Sequence, residues 1–323
     1  MQVVVLGSSG RLGSMVMSCL NGAANTYGKI GYKGRGIIHV NVEGVTHDML
    51  DVSDTDELCS LLNTYGKDTC IINCAALTDV ARIENDYMLG IKTALHVNTS
   101  PLIHLAKWSS VKDNKSIIHM STAYVFIDGE YPYTRFNWNK VLEGCYYGET
   151  KRLAELNLAR LGENFTIVRA DNIFGGSGKV KVFIEKIIDQ VYGDAPHLVV
   201  TNKQYTLPIS ALALSIYISE HAIDRVTREV APNADVVHPM YDNINHITYN
   251  ELAGKILRIV GSEKSLYSED DGYAIPSGIV KRPNVVLIGN TVIADGYMGA
   301  LRYWCNEYMY EKGYRQRPRK GVR

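Results

Sequence analysis

The sequence has no excess of either charge: Lys plus Arg and Asp plus Glu each number 34, so the formal net charge is zero. Nucleic-acid binding draws on a basic surface, and this balance argues against it. No apolar run approaches the ~20 residues that span a bilayer. The short apolar run at residues 3–6 has no basic region before it and leads straight into glycine, so it reads as a strand and not as a signal peptide. Internal repeats and low-complexity blocks are lacking. The six cysteines, Cys19, Cys59, Cys70, Cys74, Cys145 and Cys305, are scattered. Cys70 and Cys74 flank an apolar strand with no histidine nearby at metal spacing. Reduced core cysteines in a cytoplasmic protein fit this pattern better than a zinc site or disulfides.

What is present is an ordinary globular balance, 46% hydrophobic and 21% charged over 323 residues. That length suits about two domains, or one large domain with a lobe. The stretch Met1–Gly13, MQVVVLGSSGRLG, sets the plan. Val3, Val4, Val5 and Leu6 form a continuous run stopped by glycine, the mark of a strand buried on both faces of a parallel sheet. Gly7, Gly10 and Gly13 follow in GxxGxxG spacing, and Ser14–Leu20 has helical character. Strand, glycine turn and helix open a dinucleotide-binding βαβ unit. Glycine serves the tight turn, the approach of backbone to a pyrophosphate and close helix packing. The helix N-terminus offers N–H groups to phosphates. An ordinary glycine-rich turn is the alternative. Arg11, between Gly10 and Gly13, can reach a cofactor phosphate or stay solvated.

Further along, 21–36 reads as a long basic loop carrying Lys29, Lys33 and Arg35, followed by a strand over 36–42. No acid stands at the end of that strand to hold ribose hydroxyls, and the basic loop could instead meet a 2′-phosphate, so NADH and NADPH both remain open. Asp51 ends a short strand, and Ser53 is expected to cap the helix that Asp54, Asp56 and Glu57 begin. Residues 70–76, CIINCAA, form a buried strand ending in small residues that leave room for a ligand. An amphipathic helix over 91–108 contains Asn98. Strands over 116–121 and 165–170 bracket a helix over 147–161. This alternation predicts an α/β fold with a doubly wound parallel sheet. The second half is mixed: helices over 180–191, 211–223 and 249–260, and strands near 197–210 and 235–238. The basic end, 314–323, reads as a solvated tail.

Tyr-x-x-x-Lys occurs twice, at Tyr147–Lys151 and Tyr308–Lys312. A chain with 21 tyrosines produces about one such pair by chance. Tyr147 opens the helix after the strand that ends in Ser121-Thr122, whereas Tyr308 lies far from any sheet-end turn, so the second pair is the chance match. Residues four apart share a helix face, which puts Lys151 beside Tyr147. A neighbouring ammonium is expected to lower the phenol's pKa from ~10 toward the range where acid–base catalysis is efficient. Lys151 can also bond a cofactor ribose. Thr122 supplies a second hydroxyl to polarise a substrate carbonyl while a nicotinamide delivers hydride.

Together these residues resemble the extended short-chain dehydrogenase/reductases, and most closely the dTDP-4-dehydrorhamnose reductase branch. GSSGRLG (7–13) is similar to its cofactor turn, which implies cofactor contact by Gly7, Ser9, Gly10, Arg11, Leu12 and Gly13. MLDVSD (49–54) resembles the adenine-contacting segment and implies roles for Asp51 and Val52. INCAALTDVARIE (72–84) resembles the next strand and loop, with Cys74, Ala75, Ala76 and Thr78 lining the cofactor. Asn98 in HVNTSPLIHLA matches the helix asparagine of the active-site framework and is assigned to the cofactor side. STAYVF (121–126) implies catalytic Thr122 and a substrate side formed by Thr122, Ala123 and Tyr124, joined by Asn172. YGETKRLAE (147–155) implies catalytic and cofactor-binding Tyr147 and Lys151. NKQYTLPIS (202–210) and KRP (281–283) resemble substrate-lobe signatures.

The resemblance implies a Rossmann-type doubly wound sheet over 1–171 and 208–243, and a smaller C-terminal substrate lobe from 172–207 and 244–323. It implies NAD(P)H-dependent reduction of a nucleoside-diphosphate 4-keto-6-deoxy sugar. The expected partners are that sugar nucleotide and a second copy in a homodimer, with no metal, membrane or nucleic acid. Two departures bear on the sugar: Ala123 and Ala81 stand where the family usually has Asp. A 4,6-dehydratase wants Asp and Glu after the threonine, which Ala123 and Tyr124 do not match. Fucose-type epimerase/reductases place a Cys near the hydroxyl strand, and none occurs between Cys74 and Cys145. A 4-epimerase stays open. So does a non-catalytic subunit like the methionine adenosyltransferase β subunit, although Tyr147 and Lys151 are both kept.

Overall fold

A computed structural model describes residues 1–27, 40–86, 88–126, 129–131, 145–242, 246–272, 285–287, 291–294 and 296–317. Strand β1 (Gln2–Leu6) leads into α1 (Arg11–Tyr27), then β2 (Asn41–Val45), α2 (Thr55–Thr64) and β3 (Thr69–Asn73). Next come α3 (Val80–Asn85), α4 (Leu89–Ala94), a π-helical turn (Leu95–Thr99), α5 (Pro101–Trp108) and β4 (Lys115–Thr122). A 3₁₀ turn (Ala123–Val125), β5 (Gly129–Tyr131), α6 (Tyr146–Leu161) and β6 (Phe165–Phe174) follow. The remainder is α7 (Phe183–Tyr192), β7 (His197–Val199), β8 (Tyr205–Thr206), β9 (Pro208–Ser210), α8 (Ala211–Val226), β10 (Ala234–Val237) and β11 (Pro239–Tyr241). The last elements are β12 (Ile247–Thr248), α9 (Tyr249–Val260), β13 (Ser265–Tyr267), β14 (Val285–Leu287), β15 (Thr291–Ala294) and α10 (Tyr297–Glu311).

The main sheet has the order β10-β6-β4-β3-β1-β2, with β9 also paired to β6, and these pairs are all parallel. The β1 run and the centre of β3 are apolar because both of their faces are covered. Val3, Val5 and Ile72 pack into one large core cluster, while Val4, Leu6 and Ile71 pack into a second on the other face. The chain leaves β1 to build β2 on one side and β3 on the other. The two neighbouring strand ends, Leu6 and Asn73, therefore flank the topological switch point, where ligands bind in such sheets.

Several elements differ from their expected bounds. The first helix continues through Tyr27 instead of giving way to a loop at Asn21; Ala23 and Ala24 are strong helix formers. Lys29, Lys33 and Arg35 lie outside the described residues, as do KRP at 281–283 and the end of the basic tail. The second strand runs Asn41–Val45 in one-to-one register with Gln2–Leu6, beyond the expected end at 42, and residues 36–39 of the expected strand lie outside the described residues. Glu43 thus lies inside a strand, where Gln2 Nε2 and Tyr65 Oη donate to its carboxylate. Asp51 is on a turn and not at a strand end. The cap of α2 is Asp54, whose carboxylate accepts from the N–H groups of Asp56 and Glu57; Ser53 instead bonds Asp51. The 91–108 helix is α4, the π-helical turn and α5 in succession, and α10 was not anticipated.

Candidate active site at the β1–β3 switch point

The glycine turn closes on contacts that leave no room for side chains. Gly7 has φ +74°, and a Cβ there would lie 2.7 Å from Ala75 N. A Cβ on Gly13 would lie 2.2 Å from the carbonyl oxygen of Gly7, and one on Gly10 would lie 3.3 Å from the same atom. Gly44 plays an unforeseen part, since its Cβ would lie 3.1 Å from Ser8 Cβ and 2.9 Å from Met17 Cε. Ser9 and Gly10 are exposed at the α1 N-terminus. A phosphate fits this end: the helix dipole is positive there, and glycine allows close approach. Leu12 and Val52 are buried in opposite core clusters, so what they offer the crevice is backbone. Asp51 is held below the usual carboxylate range by hydrogen bonds from Ser53 Oγ and Ser53 N. Cys74, Ala75 and Ala76 leave β3 against Gly7, and Thr78 is exposed beyond them.

Arg11 does not point at a phosphate position. Nη1 donates to Gly175 O at 3.0 Å, Gly176 O at 2.6 Å and Glu185 Oε1 at 2.7 Å. Nη2 donates to Val180 O and Glu185 Oε2. Partly buried, the guanidinium ties the turn to the segment between β6 and α7.

Thr122 at the end of β4, Tyr147 in the first turn of α6 and Lys151 one turn later come together. They are 8%, 9% and 2% exposed. The Thr122 hydroxyl stands beside the Tyr147 phenol and also accepts from Tyr124 N at 3.3 Å. The electrostatics reverse the expectation for the phenol. Burial pushes it up, the neighbouring Cys145 thiol adds to that, and only the nearby Thr122 hydroxyl draws it down. Lys151 instead donates to Met120 O at 2.6 Å and lies 3.4 Å from His119 Nε2. Burial lowers the ammonium's pKa to about 8, against the pull of Glu155 and the Cys74 thiol. His119 is fully buried, and burial followed by Lys151 holds its pKa well below the usual imidazole range. It therefore stays neutral, and its Nδ1 lies 3.3 Å from Asn73 Nδ2.

Asn98 sits in the π-helical turn, a distortion that often marks functional sites. Its amide is consumed by Leu77 N, Leu77 O and Thr150 Oγ1. It is 1% exposed and braces the β3 exit loop to α6. Tyr124 meets the Tyr147 ring edge-on at 5.7 Å. Ala123 is buried in the main core cluster. Asn172 has φ +44° at a register shift in β6, and its Nδ2 has no hydrogen-bond partner among the described residues. Backbone strain of this kind clusters at ligand sites. Tyr308 and Lys312 serve elsewhere: the phenol donates to Asp189, and the ammonium lies 5.6 Å from its ring.

Two supports of Tyr147 were not foreseen. Glu84 on α3 accepts from the N–H groups of Tyr146 and Tyr147 at 3.0 and 2.8 Å, capping α6 from 63 residues away. Nothing local in the sequence signals that. Glu155 was legible in principle, because it continues the i, i+4 row of Tyr147 and Lys151. It accepts from Ser121 Oγ and from Arg169 Nε, gripping β4 and β6 at once.

The parallel sheet, with its switch point between β1 and β3, defines a Rossmann-type fold. The family model described as RmlD substrate binding domain matches residues 1–306, and the chain belongs to that family. A dTDP-4-dehydrorhamnose reductase of Aggregatibacter actinomycetemcomitans is 30% identical over 156 residues, 46% of this chain and 50% of the relative. The match thus spans about half the length of that curated relative. Among solved structures, a dTDP-4-dehydrorhamnose reductase from Clostridium acetobutylicum ATCC 824 aligns over 95% of this chain and 99% of its own, with TM-score 0.73 and 21% identity. One from Bacillus anthracis str. Ames, in complex with NADP, covers the same shares with TM-score 0.71 and 16% identity.

Proposed function

We propose that the protein is an NAD(P)H-dependent reductase of a nucleoside-diphosphate 4-keto-6-deoxy sugar. The observation that carries this reading is the buried juxtaposition of the Thr122 hydroxyl and the Tyr147 phenol, with Lys151 one turn on, at the switch-point crevice. Family membership and the NADP-bound relative support it. Tyr147 and Lys151, together with Gly7, Gly10 and Gly13, would hold the dinucleotide, which supplies the hydride when bound. Tyr147 keeps its proton at neutral pH and is placed to give it to the carbonyl oxygen. Thr122 orients the phenol and polarises that oxygen. Lys151, with its pKa near neutrality, can replenish the phenol. Asn172, with an unpartnered amide nitrogen at a strained bulge, is the proposed contact for the sugar nucleotide. In this reading 1–171 with 208–243 bind the dinucleotide, and 172–207 with 244–323 form the substrate lobe. A homodimer in the cytoplasm belongs to the same reading; six free cysteines fit a reducing compartment. The test is oxidation of NADPH and NADH with a panel of 4-keto nucleotide sugars. Cofactor oxidation with at least one member is expected, and none with any member would sink the proposal.

A further inference from the structure

The five bonds of Arg11 make the cofactor turn and the segment after β6 one mechanical unit. The guanidinium and the Glu185 carboxylate are 14% and 13% exposed, well shielded from solvent screening. Glu185 also accepts from Val182 N at 3.1 Å, so the same carboxylate fixes the start of α7. The segment is shaped to receive Arg11. Gly176, at φ +70°, would place a Cβ 2.9 Å from Met15 Sδ and 3.1 Å from Arg11 O. A Cβ on Gly178 would lie 2.8 Å from Arg11 Nε. On the other side, a Cβ on Gly175 would lie 2.3 Å from the Trp304 ring, so the segment is pressed between α1 and α10. It leaves β6 three residues after Asn172, whose strained backbone lies on the same short stretch.

We propose that Arg11 is a positioning residue that couples the two binding sites, so that filling the cofactor turn tightens the site for the nucleoside diphosphate. This rests on the dinucleotide and sugar-nucleotide sites assigned above. A phosphate drawn onto the α1 N-terminus orders the turn that carries Arg11. The ordered guanidinium holds Gly175, Gly176 and Val180 through their carbonyls and α7 through Glu185. Asn172 is then presented in one geometry. The device is reciprocal by thermodynamic linkage, so the nucleoside diphosphate must tighten the dinucleotide by the same factor. A guanidinium already spent on four partners in this segment is not a 2′-phosphate selector.

The test is calorimetric titration of the full chain with dTDP, with and without saturating NADP⁺. In the unsubstituted protein NADP⁺ should tighten dTDP by about fivefold or more, the usual lower range of allosteric coupling. Glu185→Gln keeps size and leaves the turn's sequence intact; it should abolish the enhancement while NADP⁺ still binds. Arg11→Met should do the same and leave the NADPH-to-NADH preference unchanged. Glu185→Asp, which keeps the carboxylate, should retain part of the enhancement. Thermal melting of each variant separates loss of coupling from loss of fold. Undiminished enhancement in both Glu185→Gln and Arg11→Met, or both ligands binding independently in the unsubstituted protein, would overturn the coupling alone. Binding of neither ligand would overturn the functional reading together with it.

Discussion

Burial pushes the Tyr147 phenol above its ordinary range, and Thr122 is the one group that draws it back. The phenol thus keeps its proton at neutral pH, as the proposed donor role requires. Tyr147→Phe removes only the hydroxyl, and turnover should fall about 100-fold or more while the dissociation constant for the dinucleotide hardly moves. An unchanged steady-state rate would rule out the role. Two imidazoles, the buried His119 and the half-buried His221, set a second prediction. His119 and His221 both have folded-state pKa values below the ordinary imidazole value, chiefly through burial, His221 at about 4. The unfolded chain takes up protons near pH 6.5 and these folded sites do not. Their contribution to stability is therefore full above about pH 6.5 and is lost as pH falls below it. Melts between pH 8 and 4 should show a shallower acid limb for His221→Asn than for the unsubstituted protein, and identical limbs would refute it. Residue types were legible from spacing, but the sign of the Tyr147 shift was not, because it depends on what covers the ring.

At the scale of elements, the strand–turn–helix at the N-terminus was readable because glycine spacing answers a local steric demand. The structure supplies the atom behind each glycine. Gly13→Ala would drive a methyl to 2.2 Å from the Gly7 carbonyl, whereas Gly10→Ala meets the same oxygen at 3.3 Å. Gly13→Ala is expected to cost at least the ~1–3 kcal/mol of an overpacked site, and Gly10→Ala less. Urea unfolding of the two variants measures this, and an equal loss would contradict the geometry. Other elements were misjudged where long-range pairing decides. The second strand takes its place from register with β1, and the π-helical turn is fixed by Asn98 reaching Leu77 and Thr150.

At the scale of the molecule, one core cluster runs from Val3 in β1 to Leu301, Cys305 and Met309 in α10. The first strand and the last helix therefore share a single apolar interior. Leu301→Ala should cost about 2–5 kcal/mol and lower one cooperative transition. Two separate calorimetric transitions would show that α10 belongs to an independent unit. Glu155 contributes at this scale too, since the Arg169–Glu155 pair is 0% exposed and joins α6 to the sheet one turn beyond Lys151. No helix among the described residues is long and apolar enough to cross a membrane.

The sequence by itself determined the alternation of strands and helices, the glycine turn and the Thr122, Tyr147 and Lys151 set. Each is written in local periodicity or in spacing along one element. Only the tertiary structure decided what those groups face. It turned Arg11 from the crevice onto Glu185, spent the Asn98 amide on Leu77 and Thr150, and brought Glu84 beneath the start of α6. A hydrogen bond needs its partner within about 3 Å, and partners 21, 63 or 174 residues apart meet only when the sheet closes.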